Sequence, residues 1–94
     1  MQLQELYDII ADRKVNPVPD SYTCFLFEKG MEEISKKLGE ESIEVILAAN
    51  QQTEQRTVEE ISDLLYHLLV LMVARNIPLS AIENELAQRH QPKS

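Results

Sequence analysis

Glycine is nearly missing from this chain, with only Gly30 and Gly39 among 94 residues. No stretch alternates β-branched and polar residues in the period of two that a half-buried strand requires. A sheet fold is therefore excluded. A single cysteine, Cys24, rules out an internal disulfide. Its neighbours Thr23 and Phe25 mark it as a small buried apolar residue, and no His or Asn is placed to support it as a nucleophile. Basic residues are scarce, 9 against 16 acids, for a net charge of −7. A general nucleic-acid binder would carry the opposite footprint. Long apolar runs are missing too: "LLYHLLVLMVA" (64–74) contains a histidine and is too short to span a bilayer. The N-terminus has neither the basic start nor the apolar core of a signal peptide, so a reducing cytoplasm is the expected compartment. There is no internal repeat, no low-complexity tract and no "GxxxxGK[ST]" loop to cradle phosphates with backbone amides.

What the chain does have is apolar residue, 44% of the total, at helical spacing. Disorder is excluded at that content, and the length corresponds to one small domain, residues 1–94, whose stability is marginal unless copies associate. Leu3, Leu6, Tyr7 and Ile10 follow an i, i+3, i+4, i+7 rhythm, which predicts a first amphipathic helix over 2–13. Pro17 and Pro19 keep 14–20 out of helix. Asp20 or Ser21 can cap a short helix to about Lys29, with a break at Gly30. A long helix follows over about 31–49, and "NQQTEQ" (50–55) reads as a polar loop. Thr57 with Glu60 forms a capping-box pattern for a helix to about Arg75, with Asn76 as C-cap before Pro78. Ser80 with Glu83 repeats the box for a last helix to about Arg89, and "HQPKS" (90–94) frays. The fold class is all-α: a small bundle of four to five helices. Beyond Leu64 the fourth helix is apolar on nearly all sides, and a second subunit would most easily supply the cover.

Acids are crowded onto two of these helices. Glu40, Glu41 and Glu44 occupy an arc of about 100°, and Glu60, Asp63 and His67 an arc of about 60°. Leu64 and Leu71 lie on the same side as Glu60 and Asp63, so these acids border an apolar stripe instead of lying opposite it. Antiparallel packing across a short loop would bring five carboxylates around one small volume. Like charges so placed repel, more strongly once desolvated, and a cation offsets the repulsion. An all-oxygen donor set suits a hard ion, Mg²⁺ or Mn²⁺, which bridges to phosphate oxygens and helps to activate water. A solvated, Glu-rich face is the plain alternative. A di-iron carboxylate bundle would need Glu-x-x-His pairs on two helices, which the chain lacks. His67 reads as a bundle histidine in the second shell, orienting Asp63. Lys36 and Lys37 are either solvent-facing or within reach of phosphate, Lys37 being nearer the Glu41 and Glu44 side.

"EExxE" (40–44) followed after 15 residues by "ExxD" (60–63) resembles the signature of the all-α, MazG-like nucleotide pyrophosphatases. Three blocks narrow the resemblance: "DSYTCFLFEKG" (20–30), "KKLGEESIEVILAA" (36–49) and "EEISDLLYHLLVLM" (59–72). In that order they resemble the phosphoribosyl-ATP pyrophosphatase family over about residues 3–90. The resemblance implies a helical, generally homodimeric enzyme. It would hydrolyse the α–β phosphate bond of phosphoribosyl-ATP with Mg²⁺, the second step of histidine biosynthesis. It further implies metal-binding roles for Glu40, Glu41, Glu44, Glu60 and Asp63. Lys37 would contact substrate phosphate, and Ser21, Tyr22 and Thr23 would lie near the substrate. Glu41 or Glu44 would take the proton from the attacking water. Two rival readings remain at this point: a house-cleaning (d)NTP pyrophosphatase of the same superfamily, and a non-catalytic helical dimerisation module.

Overall fold

The structure, a computed structural model, describes residues 1–92. Among them are five α-helices and no strand: α1 (Leu3–Val15), α2 (Tyr22–Lys29), α3 (Met31–Gln51), α4 (Glu54–Ala74) and α5 (Leu79–Arg89). The all-α expectation holds. The tail expected to fray is non-helical from His90 to Pro92, and Lys93 and Ser94 lie outside the described residues.

Local chemistry fixes the boundaries. The Ser21 hydroxyl accepts the Cys24 amide at 3.1 Å and starts α2. Gly30, at φ +85°, ends α2 and begins α3 in the same residue. A side chain there would be strained by the backbone angle alone, although the space around it is open. Thr53, not Thr57, caps α4: its hydroxyl accepts the Arg56 amide at 3.2 Å. Thr57 sits one turn inside and returns its hydroxyl to the Thr53 carbonyl. The expected loop shrinks to Gln52 and Thr53 because Glu54, Gln55 and Arg56 are good helix formers behind an equally good cap. α5 likewise starts at Leu79 with Pro78 as N-cap, so Ser80 lies within the first turn and makes no cap. The C-cap of α4 is Arg75, one residue earlier than the expected Asn76, which follows it at φ +58°. This turn is tied back to α1, since Lys14 Nζ donates to the Val73 carbonyl and Asn76 Oδ1, and the Tyr7 hydroxyl to the Ile77 carbonyl.

The two-residue connection folds α3 against α4 as an antiparallel hairpin, the most extensive packing in the fold. α1 and α2 cover one side of it. Ile10, Leu26, Ile34 and Val70 are fully buried where the four helices meet, joined by Leu69, Met72, Val73 and Leu79. The other side of the hairpin is bare. Ile43, Ile46 and Leu47 of α3 and Val58, Ile61, Leu65 and Leu68 of α4 are all exposed, with Ile46 reaching 60%. Thus the C-terminal half of α4 is buried as its composition suggests, but Leu65 and Leu68 are open in the single chain. No single helix among the described residues is long and apolar enough to cross a membrane; α4 and α5 pass that test only as a pair, which is bent by 109°.

Candidate functional site

The hairpin gives the two acidic arcs a common centre. Glu41 comes from the middle of α3, Glu60 and Asp63 from the second and third turns of α4. Each offers a carboxylate oxygen within 4.8 Å of the other two. Their exposure is graded: Glu60 is buried at 6%, Glu41 is half-buried, and Asp63 is exposed. Three carboxylates so close need positive charge. Two basic side chains from the same helices provide some. Arg56 Nη2 donates to Glu60 Oε1 at 2.5 Å, and its Nη1 donates to Glu59. Lys37 Nζ donates to Glu40 Oε2 at 3.0 Å and stands 4.0 Å from Glu41 Oε1.

The electrostatics record the same competition. Burial pushes the Glu41 carboxyl above its usual range, the Asp63 and Glu60 charges push it further, and His67 and Lys37 pull it back. Glu40, exposed and bonded to Lys37, is held below its usual range by that bond. Lys37 is raised by its bond to Glu40, against the opposing effect of burial. Glu40 and Glu59 are both lowered by side-chain hydrogen bonds, whereas Glu41 is raised. Oxygen donors alone, clustered and under-neutralised, fit a hard divalent cation, and neither sulfur nor imidazole points into the set. Glu44 stands one helical turn beyond Glu41 and is exposed, as is Glu40, so the structure draws three of the five expected acids into the cluster and leaves two at its edge.

His67 is 5% exposed. Its Nδ1 lies 2.7 Å from the Asp63 carbonyl oxygen and its Nε2 3.0 Å from the Tyr22 hydroxyl. The contact with Asp63 is therefore to the main chain, not to the carboxylate. Of the three residues expected near substrate, Ser21 has its hydroxyl committed to the α2 cap, Thr23 is bonded to the Tyr66 hydroxyl, and Tyr22 is 44% exposed. Burial pushes the Tyr22 hydroxyl up; the Lys37 charge opposes this, and Tyr66, Glu41 and Glu33 add to it. Tyr22 thus stands within the field of the acidic site. Two participants escaped the sequence reading. Arg56 was detectable, because it precedes Glu60 by four residues on one helix face. Tyr66 was not, since its partner Thr23 is 43 residues away. A surface cleft of about 940 Å³ lies elsewhere, between the end of α1, the 17–20 connector and α2, and none of the five acids lines it.

The sequence profile of the phosphoribosyl-ATP pyrophosphohydrolase family matches residues 3–90, almost the whole chain. The chain belongs to that family. Members similar to it include the phosphoribosyl-ATP pyrophosphatases of Clostridium botulinum (strain Kyoto / Type A2), 51% identical, and Lacticaseibacillus casei (strain BL23), 52% identical. Each comparison runs over 89 residues, 95% of this chain and 81% of the relative. A further relative is the histidine biosynthesis bifunctional protein HisIE of Caldanaerobacter subterraneus subsp. tengcongensis. It is 51% identical over 95% of this chain, which spans only 43% of that longer protein. The resemblance carried by the "SYT", "KxGEE" and "DLLYHLL" blocks is thus a family relationship, and the blocks fall on the α2 start, the Lys37–Glu41 turn and the Asp63–His67 turn.

Proposed function

We propose that this chain, as a single all-α domain over residues 1–94, hydrolyses phosphoribosyl-ATP to phosphoribosyl-AMP and pyrophosphate, the second step of histidine biosynthesis, in the cytoplasm. The observation that carries the reading is the convergence of Glu41, Glu60 and Asp63 in a member of a pyrophosphohydrolase family. A divalent cation, Mg²⁺ or Mn²⁺, held by these three with Glu40 and Glu44 beside them, would offset the triphosphate charge and polarise its phosphoryl oxygens. The residues divide the remaining tasks. Lys37 turns its ammonium from Glu40 to a phosphate oxygen. Glu41, whose carboxyl already favours the proton, or Glu44 accepts one from the attacking water. The water oxygen bonds to the α-phosphorus and stays on phosphoribosyl-AMP, the bond from that phosphorus to the α–β bridging oxygen breaks, and pyrophosphate leaves with the bridging oxygen. Ser21, Tyr22 and Thr23 border the nucleotide. Positioning and electrostatics carry most of such a reaction.

A homodimer completes the fold in this reading. The chain's radius of gyration is 15.1 Å, where a compact domain of this length measures about 12 Å. The bare stripe of Val58, Ile61, Leu65 and Leu68 has helix-packing spacing and lies on the same hairpin as the acids. Sedimentation at micromolar concentration is expected to give twice the chain mass; a single-chain mass would remove the dimer from the proposal.

The deciding assay is pyrophosphate release from phosphoribosyl-ATP, with dNTPs in parallel and with chelator added. Release from phosphoribosyl-ATP, stopped by chelator and well above the rate on dNTPs, is the expected result. Preference for dNTPs would reassign the substrate to a house-cleaning activity. No release from any nucleotide would leave a dimerisation module.

A further inference from the structure

Tyr22 presents an odd combination: the residue is 44% exposed, yet its hydroxyl is bonded to a histidine that is almost completely buried. A carbonyl only accepts, so His67 Nδ1 carries the proton it gives to the Asp63 oxygen. In the neutral ring Nε2 is then an acceptor, and the Tyr22 hydroxyl donates to it. The tyrosine ring is held on its sides as well. Phe25 and Tyr66 stack against it at centroid distances of 6.2 Å each, with interplanar angles of 22° and 28°, and His67 meets it edge-on at 5.8 Å. One residue further along α2, Thr23 is bonded to Tyr66, so two adjacent side chains of α2 are stitched to two adjacent side chains of α4. Ordering a side chain costs conformational entropy, and an exposed ring recovers little of it by burial. Such an arrangement stabilises the fold weakly but pre-organises a surface for a ligand.

We infer that His67 is a positioning residue: bonded on one side to the Asp63 main chain and on the other to the Tyr22 hydroxyl, it fixes the exposed Tyr22 ring beside the Glu41–Glu60–Asp63 cluster for nucleotide binding. The inference rests on the proposed function for the identity of the nucleotide. His67 touches no reacting atom.

Side-chain geometry separates the two bonds of His67. Asparagine reproduces the Nδ1 donor to the Asp63 carbonyl but is too short to reach Tyr22. Glutamine places a polar group where Nε2 stands. His67→Asn and Tyr22→Phe are each expected to raise KM about tenfold, the worth of one hydrogen bond, with kcat within about threefold of the wild type. The double variant should lose no more than either single variant, because both remove the same bond. His67→Gln should recover most of the affinity. A direct readout that needs no turnover is the ¹⁵N NMR spectrum of the imidazole in the full-length protein above neutral pH. It should show the proton on Nδ1, and Tyr22→Phe should shift the Nε2 resonance. An Nε2-protonated ring, or an Nε2 signal indifferent to Tyr22→Phe, overturns the tether. An unchanged KM in His67→Asn, or additive losses in the double variant, overturns the positioning role. An inactive wild type with the NMR signature intact would instead count against the proposed function, and the role in substrate binding would fall with it.

Discussion

Glu41→Gln is expected to lower pyrophosphate release from phosphoribosyl-ATP by about a hundredfold to a thousandfold, the cost typical of removing one preorganised electrostatic group from an active site. Glutamine keeps the length and the helix propensity of glutamate, so the substitution removes charge and little else. It leaves Glu60 with Arg56 and Asp63 open to solvent, and takes away the member of the cluster nearest Lys37. Because burial and two neighbouring acids already penalise the charged form of Glu41, the metal-free variant should be at least as stable as the wild type. The pair of outcomes is diagnostic: lost activity with retained or improved folding. A Glu41→Gln protein that still releases pyrophosphate at a wild-type, chelator-sensitive rate would remove Glu41 from the site.

Mg²⁺ is expected to raise the melting temperature, and chelator to reverse the rise. Binding to the folded state alone stabilises by about 2.7 kcal/mol at a hundredfold excess over Kd. For a domain of this size each kcal/mol shifts Tm by roughly 4–8 °C, so a rise of about 10 °C or more is in reach. The effect should depend on pH with a definite sign. The Glu41 carboxyl is raised in the folded protein, so the folded state binds its proton more tightly than the unfolded chain does. In metal-free protein its contribution is unfavourable above the folded value and is relieved as pH falls through that value toward the ordinary one. The cation needs the deprotonated form. The Mg²⁺-dependent rise in Tm should therefore be full above the raised value and fade as pH falls through it, at a pH higher than a free glutamate would give. Thermal melts with and without Mg²⁺ across acidic to neutral pH read this directly. No Mg²⁺ effect at neutral pH, or one that grows on acidification, would contradict a cation site at these residues. Glu41→Gln should flatten the dependence.

Helical periodicity made four of the elements legible to within about two residues, because i, i+3, i+4 patterns survive in any packing. The start of α4 was misplaced for a physical reason: Thr53 and Thr57 are both competent caps, and the helix-forming run Glu54, Gln55 and Arg56 between them lets the earlier one serve. The acidic site was readable because its two halves are local, each within five residues on one helix. What ties α2 to the acid-bearing helix α4 is not local. The Tyr22–His67 and Thr23–Tyr66 bonds span 45 and 43 residues, and no spacing rule reaches that far. Likewise the neutralisation of Glu60 by Arg56 was available from i, i+4 spacing, whereas the burial that raises Glu41 follows from tertiary packing.

A single joint connects the element bearing Tyr22 and Thr23 to the element bearing Lys37 and the glutamates, for Gly30 closes one and opens the other without an intervening residue. The mutual tilt of those two rods is governed by one pair of torsion angles in a region that side chains avoid. A rotation at that joint would swing Tyr22 and Thr23 against Lys37 and the glutamates as the two arms of one elbow.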